Sequence, residues 1–200
     1  MSHPHVSSTR PAADLTRQRL IRAALELFTT RGYYVTTTAQ IAKKAGIAEG
    51  TIYRHFASKQ QLVNELYRAA QRWATKVAQE ASRSLEPTNT RAQLAAVAHG
   101  LIEGATRDPS IVKLGLLDPL AAVLDDESRK TEREFRVVVE RLIAEGKAQG
   151  VVRPGAVDVW AGVWLATIGY ALLKIVAGEW KSGDAGLRLV IDGAWRAISA

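Results

Sequence analysis

The stretch TTTAQIAKKAGIAEGTIYRHFASK, Thr36 to Lys59, decides how the rest of the chain is read. Thr37 and Gln40 form a T-x-x-Q capping box, so a helix is predicted from about Thr38. Ile41, Ala42 and Ala45 line its inner face. Gly46 stands where the helix must stop and the chain must turn through positive φ. A second short helix carries Ile52 and Phe56, four apart, on one side, with Glu49, Thr51, Arg54 and His55 elsewhere. Two helices crossing steeply need a small residue at the contact, a turn residue and an apolar anchor facing back; Ala42, Gly46 and Ile52 supply them. That is a helix-turn-helix whose polar second helix can enter a DNA major groove. The same spacing also fits an ordinary two-helix corner in an all-α core, and the motif alone leaves both open.

Charge separates the two. Residues 1–60 hold nine Lys/Arg against three Asp/Glu, a balance of +6, whereas residues 61–200 hold eighteen against seventeen, a balance of +1. A basic field confined to the module that bears the motif is the footprint of a polyanion partner, because neutralising phosphates releases counterions. Apolar residues make up 47% of the 200, enough for a sizeable core. The absence of cysteine removes disulfides, thiolate metal sites and cysteine nucleophiles, and suits a reducing compartment. G-x-S-x-G, H-E-x-x-H and phosphate-loop patterns are absent too, so no enzyme, cofactor or metal site is expected.

Around the motif the pattern is helical throughout. Residues 1–13 read as a disordered arm without a secretory signal. His3 and His5 there lack the company of a metal site, and Arg10 is placed to reach a minor groove. A helix from about Asp14 to Arg31 carries Leu20, Ala24, Leu27 and Phe28 on one face and closes on Gly32. Of Tyr33 and Tyr34, one is expected in the core and the other at its rim. Ser58 and Gln61 cap a long helix to about Ser82, with no flexible linker behind the motif. A helix to Thr106 follows the loop 85–90. Asp108-Pro109 and Asp118-Pro119 each announce a short helical piece. Asp126 to Gln149 is a long helix ending at Gly150.

The helix over 156–181 is apolar all round, with Trp160, Trp164, Ile168, Leu172 and Ile175 on one side and Val159, Val163, Tyr170 and Leu173 on another. Its uncharged run, Val159 to Leu173, falls short of the ~20 residues of a membrane span, so burial on two sides is expected: its own core and a partner subunit. A last helix, about Ala185 to Ile198, is able to join that interface.

The segments RLIRAALELFTTRGYYVTTTAQIA, KKAGIAEGTIYRHF and SKQQLVNEL, within residues 14–66, resemble the DNA-binding domain of the tetracycline-repressor (TetR) family of bacterial regulators. The resemblance implies an all-α fold of about nine or ten helices: a three-helix DNA-binding domain over 14–60, then a larger helical ligand-binding and dimerisation domain over 61–200. It places phosphate contacts at Thr37, Thr38, Thr51, Tyr53, His55 and Lys59, lets DNA backbone approach at Gly50, and makes Glu49 and Arg54 the candidates for base edges. Tyr53 partly in the core, and His55 as a packing or capping group, stay open as alternatives. Ala48 and Ala39 depart from the family, which puts more weight on phosphates and DNA shape.

By the same resemblance a ligand pocket would involve Trp73, Val77, Leu101, Leu117, Phe135 and Val139, each equally readable as core, with His99 as its polar group. The dimer contact would lie on the last two helices, through Trp160, Trp164, Ile168, Leu172, Leu187, Val190, Ile191, Ala194 and Trp195. The expected function is a cytoplasmic bacterial regulator, nucleoid-associated when bound: a homodimer on double-stranded, palindromic operator DNA, released by a small apolar or amphipathic effector, with no membrane partner. The alternative is a non-inducible architectural or regulatory DNA-binding protein without a small-molecule ligand.

Overall fold

The computed structural model describes residues 9–84, 89–118 and 120–200. Those residues form nine α-helices and no strand ladder, dividing into two compact units, Met1–Leu66 and Tyr67–Ala200. The first helix, α1 (Thr9–Arg31), starts earlier than the expected Asp14. The rest of the expected arm, with His3, His5 and the side chain of Arg10, lies outside the described residues.

In the first unit, α2 (Thr38–Ala45) has the capping box in full. The Thr37 Oγ accepts from the Gln40 N–H at 3.2 Å, and the Gln40 side chain accepts from the Thr37 N–H at 3.0 Å. Gly46 ends it at φ 66°, a left-handed conformation that costs a glycine nothing. The next element, α3 (Glu49–Ile52), is a single turn that continues as turns through His55. Its N-cap, Ala48, makes no side-chain cap bond, which limits its length. Ile41, Ala42, Ile52 and Phe56 are buried with Leu20, Ala24 and Phe28 of α1. Neither tyrosine after Gly32 is buried: Tyr33 is half-buried against Phe28, and Tyr34 is exposed.

The fourth helix, α4 (Lys59–Ser84), is unbroken across 26 residues, about 39 Å at 1.5 Å per residue. The second unit adds α5 (Thr90–Arg107), α6 (Pro109–Val112), α7 (Asp126–Ala148), α8 (Val157–Val176) and α9 (Ala185–Ile198). Asp108 caps α6 as its Asp-Pro signal predicts, accepting from the Ile111 N–H. Asp118 instead follows a π-helical turn, Lys113–Leu117, and residues 121–123 form a turn where a second short helix is expected. Asn89 and Asp125 cap α5 and α7.

One expectation is reversed. Trp164, Ile168 and Leu172 of α8, and Leu187 and Ala194 of α9, are buried in the unit's own core, against α5 and α7. Trp160 is held by the preceding loop through its Nε1–H bond to the Pro154 carbonyl, while Val190, Ile191 and Trp195 are half-buried on the same core. The opposite face is open: Val159 is 54% exposed, Tyr170 49% and Leu173 52%, and on α9 Leu189 is 73% exposed. The two stripes of α8 thus trade places. Tryptophan, the larger apolar surface, goes inside because burial scales with apolar area.

Candidate nucleic-acid interface

Local capping and packing fix the first unit's polar side chains. Thr37 accepts a backbone bond through its oxygen, which leaves its hydroxyl hydrogen able to donate outward. One residue on, the Thr38 hydroxyl and the Tyr53 phenol lie 3.1 Å apart in a hydrogen bond. Tyr53 is 56% exposed, so it is a surface group and not part of the core. The pair joins the start of α2 to the end of α3. Thr51 and His55 are half-buried beside it, and Gly50 is exposed. Glu49 and Arg54 are exposed, and among the described residues neither side chain has an ion pair or a hydrogen bond. Groups left unsatisfied by their own fold are the ones able to read a base edge.

Lys59 differs from the expectation of a free phosphate ligand. Its ammonium donates to the backbone carbonyls of Tyr33, at 2.9 Å, and Thr36, at 2.8 Å, and lies 4.3 Å from the Tyr33 ring centroid. Burial lowers its pKa. It therefore ties the start of α4 to the turn before α2, with one N–H left for anything else. Other basic residues are also committed internally. Arg17 pairs with Glu65 and stacks over Phe56, and Lys44 pairs with Glu26 at 2.6 Å.

The helix-turn-helix region also matches known proteins. The pattern described as "Bacterial regulatory proteins, tetR family" matches residues 20–66. The chain is 30% identical over 172 residues to the HTH-type transcriptional regulator TcmR of Streptomyces glaucescens, covering 82% of this chain and 73% of that one. The chain belongs to the TetR family. It is a DNA-binding transcriptional regulator, in a family of regulators and not of enzymes, whose members are soluble cytoplasmic proteins. It is also 26% identical to the uncharacterized HTH-type transcriptional regulator YvkB of Bacillus subtilis, over 82% of this chain and 85% of that one. A TetR family transcription regulator from Marinobacter aquaeolei VT8 shares the fold, with a TM-score of 0.78 at 20% identity, covering 96% of this chain and 99% of that one.

In the second unit of this TetR-family chain, the expected pocket residues do not form one site. Leu101 and Phe135 line a cavity of about 210 Å³, while Trp73 and Val77 line a separate open groove between α4 and α5. Val139 is buried core and Leu117 is half-buried; neither lines either space. His99 is exposed on α5, so it is no polar group of a pocket. The polar residues that do border the cavity are Tyr67, Gln71, Asp118, Glu132 and Arg136. A signal for two of them was present: Tyr67 and Gln71 interrupt the apolar stripe of α4 one turn apart, and both are buried.

Proposed function

We propose that the protein is a homodimeric, effector-responsive repressor that binds a palindromic operator through α2, α3 and the start of α4. The observation that carries the DNA side is the exposed group made by the Thr38–Tyr53 bond, with Glu49 and Arg54 unpaired beside it, in the module that holds the positive excess. Thr37, Thr38, Thr51, Tyr53 and His55 bind phosphates and Gly50 admits the DNA backbone. Glu49 accepts from cytosine and Arg54 donates to guanine. Lys59 contributes chiefly by holding the turn that presents Thr37.

The dimer forms through the exposed stripe of α8 and its neighbour on α9: Val159, Tyr170, Leu173 and Leu189, with the half-buried Val163 at its edge. Gly162, Gly169 and Gly193 adjoin it, and a Cβ at any of them would meet nothing within 4 Å, so close helix approach is open there. Such a dimer presents two reading elements about one DNA turn apart, roughly 34–36 Å, and is nucleoid-associated when bound. An effector acts by preferring a state with another spacing, and its differential affinity sets how far operator binding falls.

Selection of the purified protein against random duplex DNA, with its solution mass taken alongside, tests the proposal. An inverted repeat recovered by a dimer is expected. A folded protein with no salt-dependent duplex binding would sink it. Recovery of a repeat whose binding no small molecule relieves would favour the non-inducible regulator.

A further inference from the structure

The cavity of the second unit has a volume of about 210 Å³. Its body is apolar, walled by Leu101, Phe135, Leu165, Ile168 and Leu172. Its other end is polar and unbalanced. Gln71 on α4 is buried. Its Nε2 donates to the Gly115 carbonyl in the π-helical turn at 2.8 Å, and its Oε1 is buried with no hydrogen-bond partner. A buried acceptor left unmade is a standing cost that native folds rarely keep without a use. π-helical turns are themselves frequent at functional sites.

The groups around Gln71 deepen the imbalance. Asp118 and Glu132 bring two carboxylates to the cavity wall. Burial pushes the Asp118 carboxyl up and nearby Lys113 opposes that shift. The Tyr67 hydroxyl hydrogen-bonds to Glu132 and to the Gln71 side chain; burial, then the Glu132 charge, push its pKa up to about 12 against the Gln71 bond and the Arg136 charge, so it stays a neutral phenol. Arg136 is exposed, one helical turn beyond Glu132 on α7. Among the buried side chains at this end, the atom left without a hydrogen-bond partner is an acceptor, Gln71 Oε1.

We propose that this cavity takes a small amphipathic molecule with an apolar body and a hydrogen-bond-donating head, an amine or an alcohol and not a carboxylate, with the head bonded to Gln71 Oε1 and turned toward Glu132. This assignment rests on the protein being effector-responsive and specifies the effector's chemistry. An acid would leave Gln71 Oε1 unsatisfied and would add a negative charge to a wall where Asp118 and Glu132 already outnumber the exposed Arg136.

Phenethylamine, 2-phenylethanol and phenylacetate share one apolar body and differ in the head, so they isolate the head's contribution. Each is titrated by calorimetry into the full chain, its Gln71→Leu variant and its Glu132→Gln variant near pH 7.5. The amine is expected to bind tightest, the alcohol next, and phenylacetate at least about tenfold more weakly than the amine. Glu132→Gln lowers amine affinity about tenfold and leaves the alcohol within about twofold; Gln71→Leu weakens both. Should Gln71→Leu fail to fold, Glu132→Gln carries the test. Phenylacetate binding as tightly as the amine overturns the head assignment and leaves an effector site standing. No heat with any probe overturns the cavity as a ligand site, while duplex binding by the same preparation decides the regulatory reading separately.

Discussion

The two units of this TetR-family chain close their folds by different chemistry, and the difference shows which parts of a sequence carry information about facing. In the first unit the closures are polar and directional. Thr37 with Gln40, Lys59 on two carbonyls and Arg17 on Glu65 each fix one backbone direction, so the surface left over, Glu49 and Arg54, is defined by what the closures do not use. The second unit closes on apolar area. Its core runs through Leu94, Val97, Leu142, Trp164 and Ile168, and its open face is apolar as well, through Val159, Tyr170 and Leu173. With both faces apolar, which one is inside depends on which fits the neighbouring helices better.

The largest expected effects test that distinction on α8. Trp164→Ala removes a fully enclosed ring and should cost about 3–5 kcal/mol of stability, read by chemical denaturation of the second unit. Leu173→Glu changes a residue 52% exposed in the single chain and should leave unfolding of that chain within about 0.5 kcal/mol. Its effect should fall on association: sedimentation should show a monomer at concentrations where the parent chain is a dimer, because a twofold contact brings the new charge in twice. If Leu173→Glu stays dimeric while a folded Trp164 variant dissociates, the stripe through Leu173 is not the dimer face.

The same distinction accounts for what the sequence made legible. Capping boxes, Asp-Pro starts and the left-handed Gly46 are local rules, so helix order and the start of α2 were readable within a residue or two. So was the exposure of Glu49 and Arg54. The internal bonds of Lys59 were not legible because its two carbonyl partners lie 23 and 26 positions earlier, and no pattern at helical spacing records such a bond. The stripes of α8 were correctly divided into two, but their sides were exchanged; amphipathic periodicity gives a phase and not a direction. His99 was selected as a lone polar residue on a helix, a signal equally met by an exposed face. The cavity's polar end draws on α4, α7 and the segment after α6, so only the tertiary fold brings it together.

Within the first unit, a graded pair sharpens the roles. Lys59→Met deletes two charge-assisted hydrogen bonds and should destabilise the unit by about 2 kcal/mol, weakening binding to all duplexes alike. Amide exchange over residues 32–56 should rise with it. Arg54→Ala should leave exchange unchanged, cost about 1–3 kcal/mol against the preferred operator and relax preference at particular base pairs. Equal loss on every sequence would remove Arg54 from readout. Gly50 separates fold from function more finely. An added Cβ there meets nothing within 4 Å, so Gly50→Ala should stabilise the helical turn by about 0.5–1 kcal/mol. It should nonetheless weaken duplex binding if DNA backbone comes against this position; unchanged binding would show that it does not.

The smallest expected effect is a polar closure inside the apolar unit. Asp125 caps α7, accepting from the Ser128 N–H at 2.8 Å, and receives the Arg68 guanidinium on both oxygens at 3.0 and 2.9 Å. Burial acts to raise its carboxyl pKa, but the hydrogen bonds from Ser128 and Arg68 and the Arg68 charge outweigh that and hold it below the ordinary carboxylate value. A folded pKa below the unfolded one means stability that is fully present above about pH 4 and is lost as pH falls through the folded value. Asn caps as well as Asp but carries no charge. Asp125→Asn should therefore cost only about 0.5–1 kcal/mol at neutral pH, the range for a solvent-screened pair. The difference from the parent chain should shrink as pH drops from 5 toward 3 and again in concentrated salt. A difference that persists at pH 3 would assign the effect to geometry at the cap. The acid sensitivity of this unit would then have to come from other carboxylates.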